Sequence, residues 1–238
     1  SLKGRRIRVP TFDIVKESKP LKSFRVASVM GTFDLQSEQV VERFTGAIDM
    51  PDEWNIGLIV GNSGSGKTTI ASELFPEAYI SGFQYDAESI LDDMADKCSV
   101  SDVTKMFNSV GFSSPPSWLK SYAVLSNGQK MRVDLARALL EDRELIVFDE
   151  FTSVVDRRVG QIGSFAVQKA VRRANRRFIA VTCHNDVEEW LLPDWKLDTN
   201  TMQFSATEVK KKDHPSMLRY TKQNKKNCIG RCLLNTTI

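Results

Sequence analysis

The sequence has few of the features that mark membrane-spanning or secreted chains. It contains only four cysteines in 238 residues, too few for a disulfide framework in a chain of this length. No apolar run approaches the roughly 18 residues that a membrane helix needs. The basic start SLKGRRIRVP is not followed by the apolar stretch of a signal peptide. We therefore expect a globular chain in a reducing cytoplasm, long enough to bury a full hydrophobic core.

Basic and acidic residues nearly balance over the whole sequence, but they are unevenly distributed along it. The net charge is +3, while residues 1–25 and residues 206–238 each contain eight Lys or Arg and two acidic residues. The sequence predicts a basic leader over residues 1–22 and a basic tail over residues 206–238. These ends are either solvated or contact a nucleic acid or an acidic protein partner. The tail also contains Cys228 and Cys232, which we expect to be free thiols because His214 is too distant in sequence for a good zinc pattern.

Between these ends, predicted strands alternate with predicted helices. Apolar and polar residues begin to alternate as in a strand at Phe24, in FRVASVMGTFDL. A buried strand is predicted for NIGLIV, which enters a loop rich in Gly and Ser, and a helix follows in KTTIASELF. The next strand is predicted for AYISGF.

The second half continues this pattern after a helical interval. Helices are predicted for AESILDDMADK and SVSDVTKMFNSVGF, and a break for SSPPSW. Strands are then predicted for ELIVFDE and FIAVTCH, with the helix QIGSFAVQKAVRRANRR between them. We expect one α/β domain over residues 23–205, with a mainly parallel sheet covered on both faces. No strand is evident between Gln84 and Leu125, which predicts a small helical subdomain at about residues 86–140.

The strongest motif is GNSGSGKTT, which fits G-x-x-x-x-G-K-[ST] between a predicted strand and a predicted helix. Its glycines let backbone N–H groups curl around phosphates. Lys67 is expected to reach the β- and γ-phosphates of a nucleotide, and the Thr68 hydroxyl to bind Mg²⁺. The candidate nucleotide-binding residues of this loop are Gly61, Asn62, Ser63, Gly64, Ser65, Gly66, Lys67, Thr68 and Thr69.

A second motif is the acidic pair that ends the predicted strand ELIVFDE. Asp149 is placed to hold Mg²⁺ directly or through water, and Glu150 to polarise the attacking water as a general base. Together with the Gly-rich loop, this pair indicates a nucleoside triphosphatase. The two motifs do not say which kind.

The stretch LSNGQ, about twenty residues ahead of LIVFDE, resembles the signature of ATP-binding cassette (ABC) ATPases. The usual form is L-S-G-G-Q, so Asn127 is a departure. In that family the signature binds the γ-phosphate of an ATP held by another cassette. The resemblance therefore implies a homodimer with two composite sites, and an antiparallel N-terminal β part beside the main sheet. The implied nucleotide contacts are Ser126, Asn127, Gly128 and Gln129; the structural alternative is that Ser126 only caps its own helix.

Further residues follow the order of the family's motifs. FTSVVD is similar to the D-loop, with Asp156 at a matching place for nucleotide contact, although Phe151 stands where proline is more usual. His184 matches the switch histidine that contacts the γ-phosphate, and Gln84 matches the glutamine that contacts Mg²⁺ and water. Phe33 is the best-placed aromatic to stack on adenine, with core packing as the alternative. The resemblance covers roughly residues 24–205.

A closer similarity is to phage and bacterial ABC-type ATPases that are joined to a C-terminal GNAT-type acetyltransferase. It is carried by SVGFSSPPSWLKSYAVLSNGQ, FDEFTSVVDRRVGQIGS and VTCHNDVEEWLLPDW. Residues 206–238 are too few for an acetyltransferase, which needs on the order of 100–150 residues. In the same segments, Trp190 and Trp195 are expected to be core or interface anchors.

The resemblance thus implies a soluble, homodimeric ATPase that hydrolyses ATP with Mg²⁺. Two alternatives are an ATP-switched nucleic-acid-binding protein and the nucleotide-binding subunit of an ABC transporter. The transporter alternative is disfavoured by the short interval from Gln84 to the signature and by the sequence SYAVLSNG, which lacks the acidic and Gly pattern that often precedes the signature in transporters.

Overall fold

The fold is described from a computed structural model that covers residues 9–18, 23–33, 40–94 and 97–206. The predicted tail, including Cys228, Cys232 and His214, lies outside the described residues after Ala206. No helix in the described part of the chain is long and apolar enough to cross a membrane.

The N-terminal part is an antiparallel pair of strands with a helix between them. Strand β1 (Val9–Ser18) pairs with β2 (Val40–Ile48), and helix α1 (Phe24–Thr32) lies between them in sequence. The antiparallel N-terminal part is therefore confirmed. β1 lies within residues 1–22, the predicted basic leader, so residues 9–18 of that segment form a strand.

Within the described residues, the main sheet has six strands, of which five are parallel. They are β3 (Ile56–Val60), β4 (Tyr79–Ile80), β5 (Leu145–Phe148), β6 (Arg177–Thr182), β7 (Trp195–Asp198) and β8 (Gln203–Ala206). Their spatial order is β4-β5-β6-β3-β7-β8, and β8 runs antiparallel to β7. All five residues of β3 are buried, as expected for a central strand covered on both faces. The predicted mainly parallel α/β sheet is confirmed.

The helices cover this sheet from both sides. They are α2 (Lys67–Leu74), α3 (Val100–Ser109), α4 (Pro115–Trp118), α5 (Asn127–Leu140), α6 (Arg157–Arg173) and α7 (Val187–Leu191). Alternate strand residues enter two cores. Leu58, Ile146 and Phe178 pack with α3, α5 and α6 on one face, while Ile59 and Val147 pack with α2 and the antiparallel pair on the other.

Three local predictions are wrong, each for a physical reason. Residues 24–32 are a helix rather than a strand, because Ser23 caps it by accepting the Val26 N–H at 3.2 Å. AESILDDMADK is not a helix over its described part: the Asp93 carboxylate accepts the N–H groups of Asp86 and Ala87 and closes a turn. SSPPSW contains the short helix α4, since proline is tolerated in a first helical turn.

Candidate functional site

The predicted motifs meet at one edge of the sheet. The Gly-rich loop follows β3, Asp149 follows β5, and His184 follows β6, and β6 lies between β3 and β5. These three strands are parallel, so their carboxyl ends lie at the same edge, which is where open α/β sheets bind ligands. The topology therefore brings together motifs that are far apart in sequence.

The loop has the conformation that its glycines predict. Gly64 and Gly66 have positive φ angles of 82° and 86°, which a side chain would strain. A Cβ on Gly66 would also lie 2.3 Å from the Phe44 ring of β2. Lys67 is only 8% exposed, and its Nζ donates to the Asn62 carbonyl at 2.7 Å. The Lys67 side chain therefore folds over the loop and contacts the loop backbone.

Helix α2 begins in a way that suits phosphate binding. Its N-cap is Gly66, which has no side chain to bond the first N–H groups. By contrast, α5 and α6 are capped by Ser126 and Asp156, whose side chains accept such bonds. The uncapped N–H groups and the positive end of the helix dipole favour an anion at this end of α2.

The turn between β7 and β8 supports this loop, which the sequence motifs do not indicate. The Asn62 N–H donates to Asn200 Oδ1 at 2.9 Å, and the hydroxyls of Ser65 and Thr199 are 2.5 Å apart. A Cβ on Gly61 would lie 2.2 Å from Thr199 Oγ1, so Gly61 is required for this close approach.

The predicted metal ligands are adjacent. Thr68 Oγ1 donates to Asp149 Oδ2 at 3.0 Å. Hydroxyl and carboxylate oxygens are ligands that Mg²⁺ prefers, so the residues present fit this ion. Tyr79, which we did not predict, also donates to Asp149 Oδ2, at 2.5 Å. Burial, and then the bond to Asp149, raises the pKa of Tyr79, so its hydroxyl stays protonated as a donor.

The segment after Asp149 is tightly constrained. Glu150 and Thr152 have positive φ angles of 51° and 63°, which is uncommon for residues with side chains. The Phe151 N–H donates to the Val181 carbonyl of β6 at 2.8 Å, and its fully buried ring packs in the core. Phe151 thus anchors this segment through its side chain, while Glu150 remains exposed.

In the signature loop, Ser126 caps its own helix. Its Oγ accepts the Gln129 N–H at 3.3 Å, and Gln129 Oε1 accepts the Ser126 N–H at 3.0 Å. This is a capping box. Because Ser126 Oγ is the acceptor in this cap, the Ser126 hydroxyl hydrogen remains available to donate another hydrogen bond. Ser126 and Asn127 are exposed, whereas Gly128 packs against Val159.

Three other predicted site residues, Asp156, His184 and Phe33, make no described contact with the phosphate loop. Asp156 caps α6 through the Arg158 and Val159 N–H groups. The His184 N–H donates to Thr182 Oγ1 at 3.2 Å, which fixes its backbone. Phe33 ends α1 and is 69% exposed, and no described contact joins its ring to the loop.

Gln84 lies just beyond β4, the strand beside β5. Its side chain is exposed and lines a pocket of about 400 Å³ with Asp86, Asp92 and Asp93. Among the described contacts, none joins the Gln84 side chain to Asp149. Gln84 therefore lies beyond the carboxyl end of β4, and its side chain makes no described contact with the metal ligands.

A further cation lies beside the loop. Lys16 of β1 extends its Nζ to Thr69 Oγ1 at 3.3 Å. Sequence reasoning missed Lys16 because it lies in the segment predicted as a leader. Its position adds positive charge near the start of α2.

Comparisons with known proteins agree with this geometry. Residues 85–153 match the family model described as ABC transporter, a segment that contains Ser126, Asp149 and Glu150. No curated protein sequence matches the chain significantly.

Several solved structures are similar in fold. The dimeric structure of MJ0796, a bacterial ABC transporter cassette, is 16% identical with a TM-score of 0.54, over 78% of this chain and 94% of that chain. The dimeric post-hydrolysis state of the same cassette, bound to ADP and Pi, is 15% identical with a TM-score of 0.55, over 78% of this chain and 91% of that chain. A bacterial Atm1-family ABC exporter with ATP bound is 18% identical with a TM-score of 0.51, over 80% of this chain and 37% of that chain.

The chain therefore has the fold of the ABC cassette, and the predicted fold class is confirmed. The family match over the signature and the acidic strand end supports the predicted ATPase. The finer assignment, to the phage and bacterial group joined to an acetyltransferase, is not addressed by these matches and stays a prediction.

Proposed function

We propose that this chain hydrolyses ATP with Mg²⁺ as a homodimer that holds two nucleotides between its subunits. The observation that carries the proposal is the common edge of the sheet. There the phosphate loop, the Thr68–Asp149 pair and the segment of Glu150 adjoin the end of β6, which leads to His184.

Within one chain, different residues bind the phosphates, hold the metal ion and activate the attacking water. Loop N–H groups, the start of α2 and Lys67 hold the β- and γ-phosphates. Mg²⁺ bound by Thr68 and Asp149 would neutralise phosphate charge. Glu150 orients and deprotonates the attacking water, and His184 donates to the γ-phosphate.

The signature loop acts on the ATP of the partner copy. Ser126 retains its hydroxyl proton as a donor, and Asn127 and Gly128 are in the first turn of α5, where N–H groups favour an anion. No contact in the described part of one chain joins Ser126 to the phosphate loop. Two similar cassette structures are dimers, which supports a second copy as the source of the missing half-site.

Two further residues have proposed nucleotide contacts. Asp156 lies on the D-loop segment at the start of α6 and is proposed to face the partner's nucleotide. Phe33 is proposed to stack on adenine, since its exposed ring is free to accept a flat base. For Phe33→Ala we expect a higher KM for ATP with an unchanged kcat.

Phosphate release from Mg-ATP tests the catalytic assignment. We expect Lys67→Ala and Glu150→Gln each to reduce kcat by at least about 100-fold, as loss of a charge-stabilising or acid–base group does. Glu150→Gln should still bind ATP, whereas Lys67→Ala should bind it weakly. Hydrolysis at the wild-type rate in Glu150→Gln would contradict the assignment of the general base.

A second candidate is the nucleotide-binding subunit of an ABC transporter. The matched family model is described as ABC transporter, and two of the similar structures are described as an ABC transporter cassette and an ABC exporter, which favours it. It predicts co-purification with a membrane protein from the native cell. The ATP-switched nucleic-acid-binding alternative predicts retention on DNA or RNA that weakens steeply with salt.

A further inference from the structure

The inner face of β1 leads from the hydrophobic core to a lysine beside the phosphate loop. Phe12 is buried, and Ile14 packs against the same core. Alternate residues of a strand share a face, so Lys16 continues this row beyond its apolar part. On β2, Phe44 lies opposite Ile14, and its ring lies against Gly66 of the loop. This face of the antiparallel pair therefore packs against the phosphate loop, and Lys16 is its next residue.

The Lys16 ammonium group is directed to the start of α2. Its Nζ donates to Thr69 Oγ1 at 3.3 Å, and Thr69 is the third residue of that helix. Glu42 lies opposite Lys16 in the register of the two strands, but no contact among the described residues joins these two side chains. The exposed lysine therefore extends toward the nucleotide-binding helix and not toward its acidic neighbour in the sheet.

This position is unfavourable for a cation unless an anion lies beside it. The start of a helix carries a partial positive charge, which repels an ammonium group. The first N–H groups of α2 have no capping side chain, and Lys67 adds a second ammonium group in the same turn. A phosphate would accept hydrogen bonds from all of these groups. Because a hydrogen bond between two charged groups is stronger than one to a neutral hydroxyl, Lys16 favours a phosphate over Thr69.

The two threonines at the start of α2 indicate which phosphate this is. Successive residues of a helix point about 100° apart. Thr68 Oγ1 contacts Asp149, at the metal end of the site, whereas Thr69 Oγ1 contacts Lys16, on the side of β1. Phe33, the proposed adenine contact, also belongs to this side, since it follows α1 between β1 and β2. With the γ-phosphate at the metal end, the phosphate chain crosses the first turn of α2 and brings the α-phosphate to Lys16.

We propose that Lys16 binds the α-phosphate of the nucleotide. The α-phosphate is common to ATP, ADP and AMP, and its bonds do not change during hydrolysis. Lys16 therefore strengthens the binding of all three nucleotides by a similar factor, in contrast to a γ-phosphate ligand, which acts on ATP alone. This inference rests on the proposed function, because it assumes that the phosphate loop binds a nucleotide.

The test compares Lys16→Met with the matched control Lys169→Met. Methionine keeps most of the side-chain length and removes the charge, and Lys169 is an exposed lysine on α6. Competition with a fluorescent ADP analogue, calibrated for each variant, measures the affinities of ATP, ADP and AMP. EDTA is present, so that the metal ligands do not contribute. We expect each affinity to fall about tenfold in Lys16→Met and to keep its wild-type value in the control.

Two further variants separate the charge of Lys16 from its effect on the strand. Lys16→Arg keeps a cation that binds phosphate and should retain most of the affinity. Lys16→Gln keeps a polar side chain at this exposed position and should lose affinity as Lys16→Met does. The urea denaturation midpoints of all three variants should match that of the wild type, so a loss of affinity in a variant of unchanged stability comes from the missing charge.

The outcomes separate this inference from the proposed function. Unchanged affinities in Lys16→Met, or an equal loss in Lys169→Met, would show that Lys16 is not a phosphate ligand. A loss for ATP alone would assign Lys16 to the γ-phosphate, and a loss for ATP and ADP but not AMP would assign it to the β-phosphate; either result overturns the α-phosphate assignment. In these cases the proposed nucleotide site stands if Lys67→Ala weakens ATP binding in the same assay. If the wild-type protein binds no nucleotide, the proposed function fails, and this inference fails with it.

Discussion

The Tyr79 hydroxyl offers a sensitive test of the metal site, because Tyr79→Phe removes one donor and leaves the ring. Asp149 Oδ2 accepts from both Tyr79 and Thr68. If the Thr68 hydroxyl binds Mg²⁺ instead, Tyr79 would remain as the donor to Asp149 Oδ2, beside the Glu150 N–H, which donates to Oδ1 at 2.9 Å. We therefore expect weaker and less well oriented metal binding in Tyr79→Phe, and not a loss of the fold.

The size of this effect follows from the bond that is lost. A hydrogen bond to a charged group contributes about 1.5–3 kcal/mol. Tyr79 and Asp149 are each only half-buried, so the lower end of that range applies, which corresponds to about a tenfold change in Mg²⁺ affinity. This agrees with the usual cost of losing a residue that orients a metal ligand.

The assay is the Mg²⁺ concentration for half-maximal ATP hydrolysis, with ATP binding in EDTA as the control. We expect the former to rise about tenfold in Tyr79→Phe and the latter to stay unchanged. If the Mg²⁺ requirement is unaltered while hydrolysis is intact, Tyr79 does not orient Asp149, and the reasoning about this site is wrong.

Two predictions concern stability. In Gly57→Ala the new Cβ would lie 2.1 Å from the ring of the fully buried Trp195, so we expect a loss of about 1–3 kcal/mol in urea denaturation. The control is Gly31→Ala, whose Cβ would meet no described atom within 4 Å apart from its chain neighbours and its own helix backbone; it should be neutral or stabilising, and equal effects of the two changes would refute this packing argument. Burial raises the pKa of Asp134 in the folded chain above its ordinary 3.8. At pH values between 3.8 and this raised pKa, the folded chain therefore binds more protons than the unfolded chain. The free energy of unfolding should therefore decrease as pH rises through this window, and Asp134→Asn should flatten that slope; an unchanged slope would contradict a raised pKa.

The motifs that depend on local backbone chemistry were the most predictable part of this protein. Gly64, Gly66 and Lys67 have fixed spacing because a phosphate loop has one backbone path between a strand and a helix. The acidic end of β5 and the alternation of strands with helices depend on equally local signals. The sequence therefore predicted the sheet and the loop, and it included the capped start of α5 as the structural alternative for Ser126.

Contacts between distant segments could not be predicted in this way. Asn200 and Thr199 brace a loop that is more than 130 positions earlier in the chain, and no local pattern shows this. Tyr79 occupies an ordinary strand position. Helix α1 was misread because Val26 and Ser28 alternate like a strand, whereas its apolar residues Val26, Val29 and Met30 also recur at helical spacing.

The central claim is that ATP joins two copies of this chain through the phosphate loop of one and the signature loop of the other. Size-exclusion chromatography with light scattering on Glu150→Gln tests it most directly. We predict a 26.8 kDa monomer without nucleotide and twice that mass with Mg-ATP, and no such change when Ser126→Arg is added. A Glu150→Gln protein that binds ATP but remains at the monomer mass would contradict the claim.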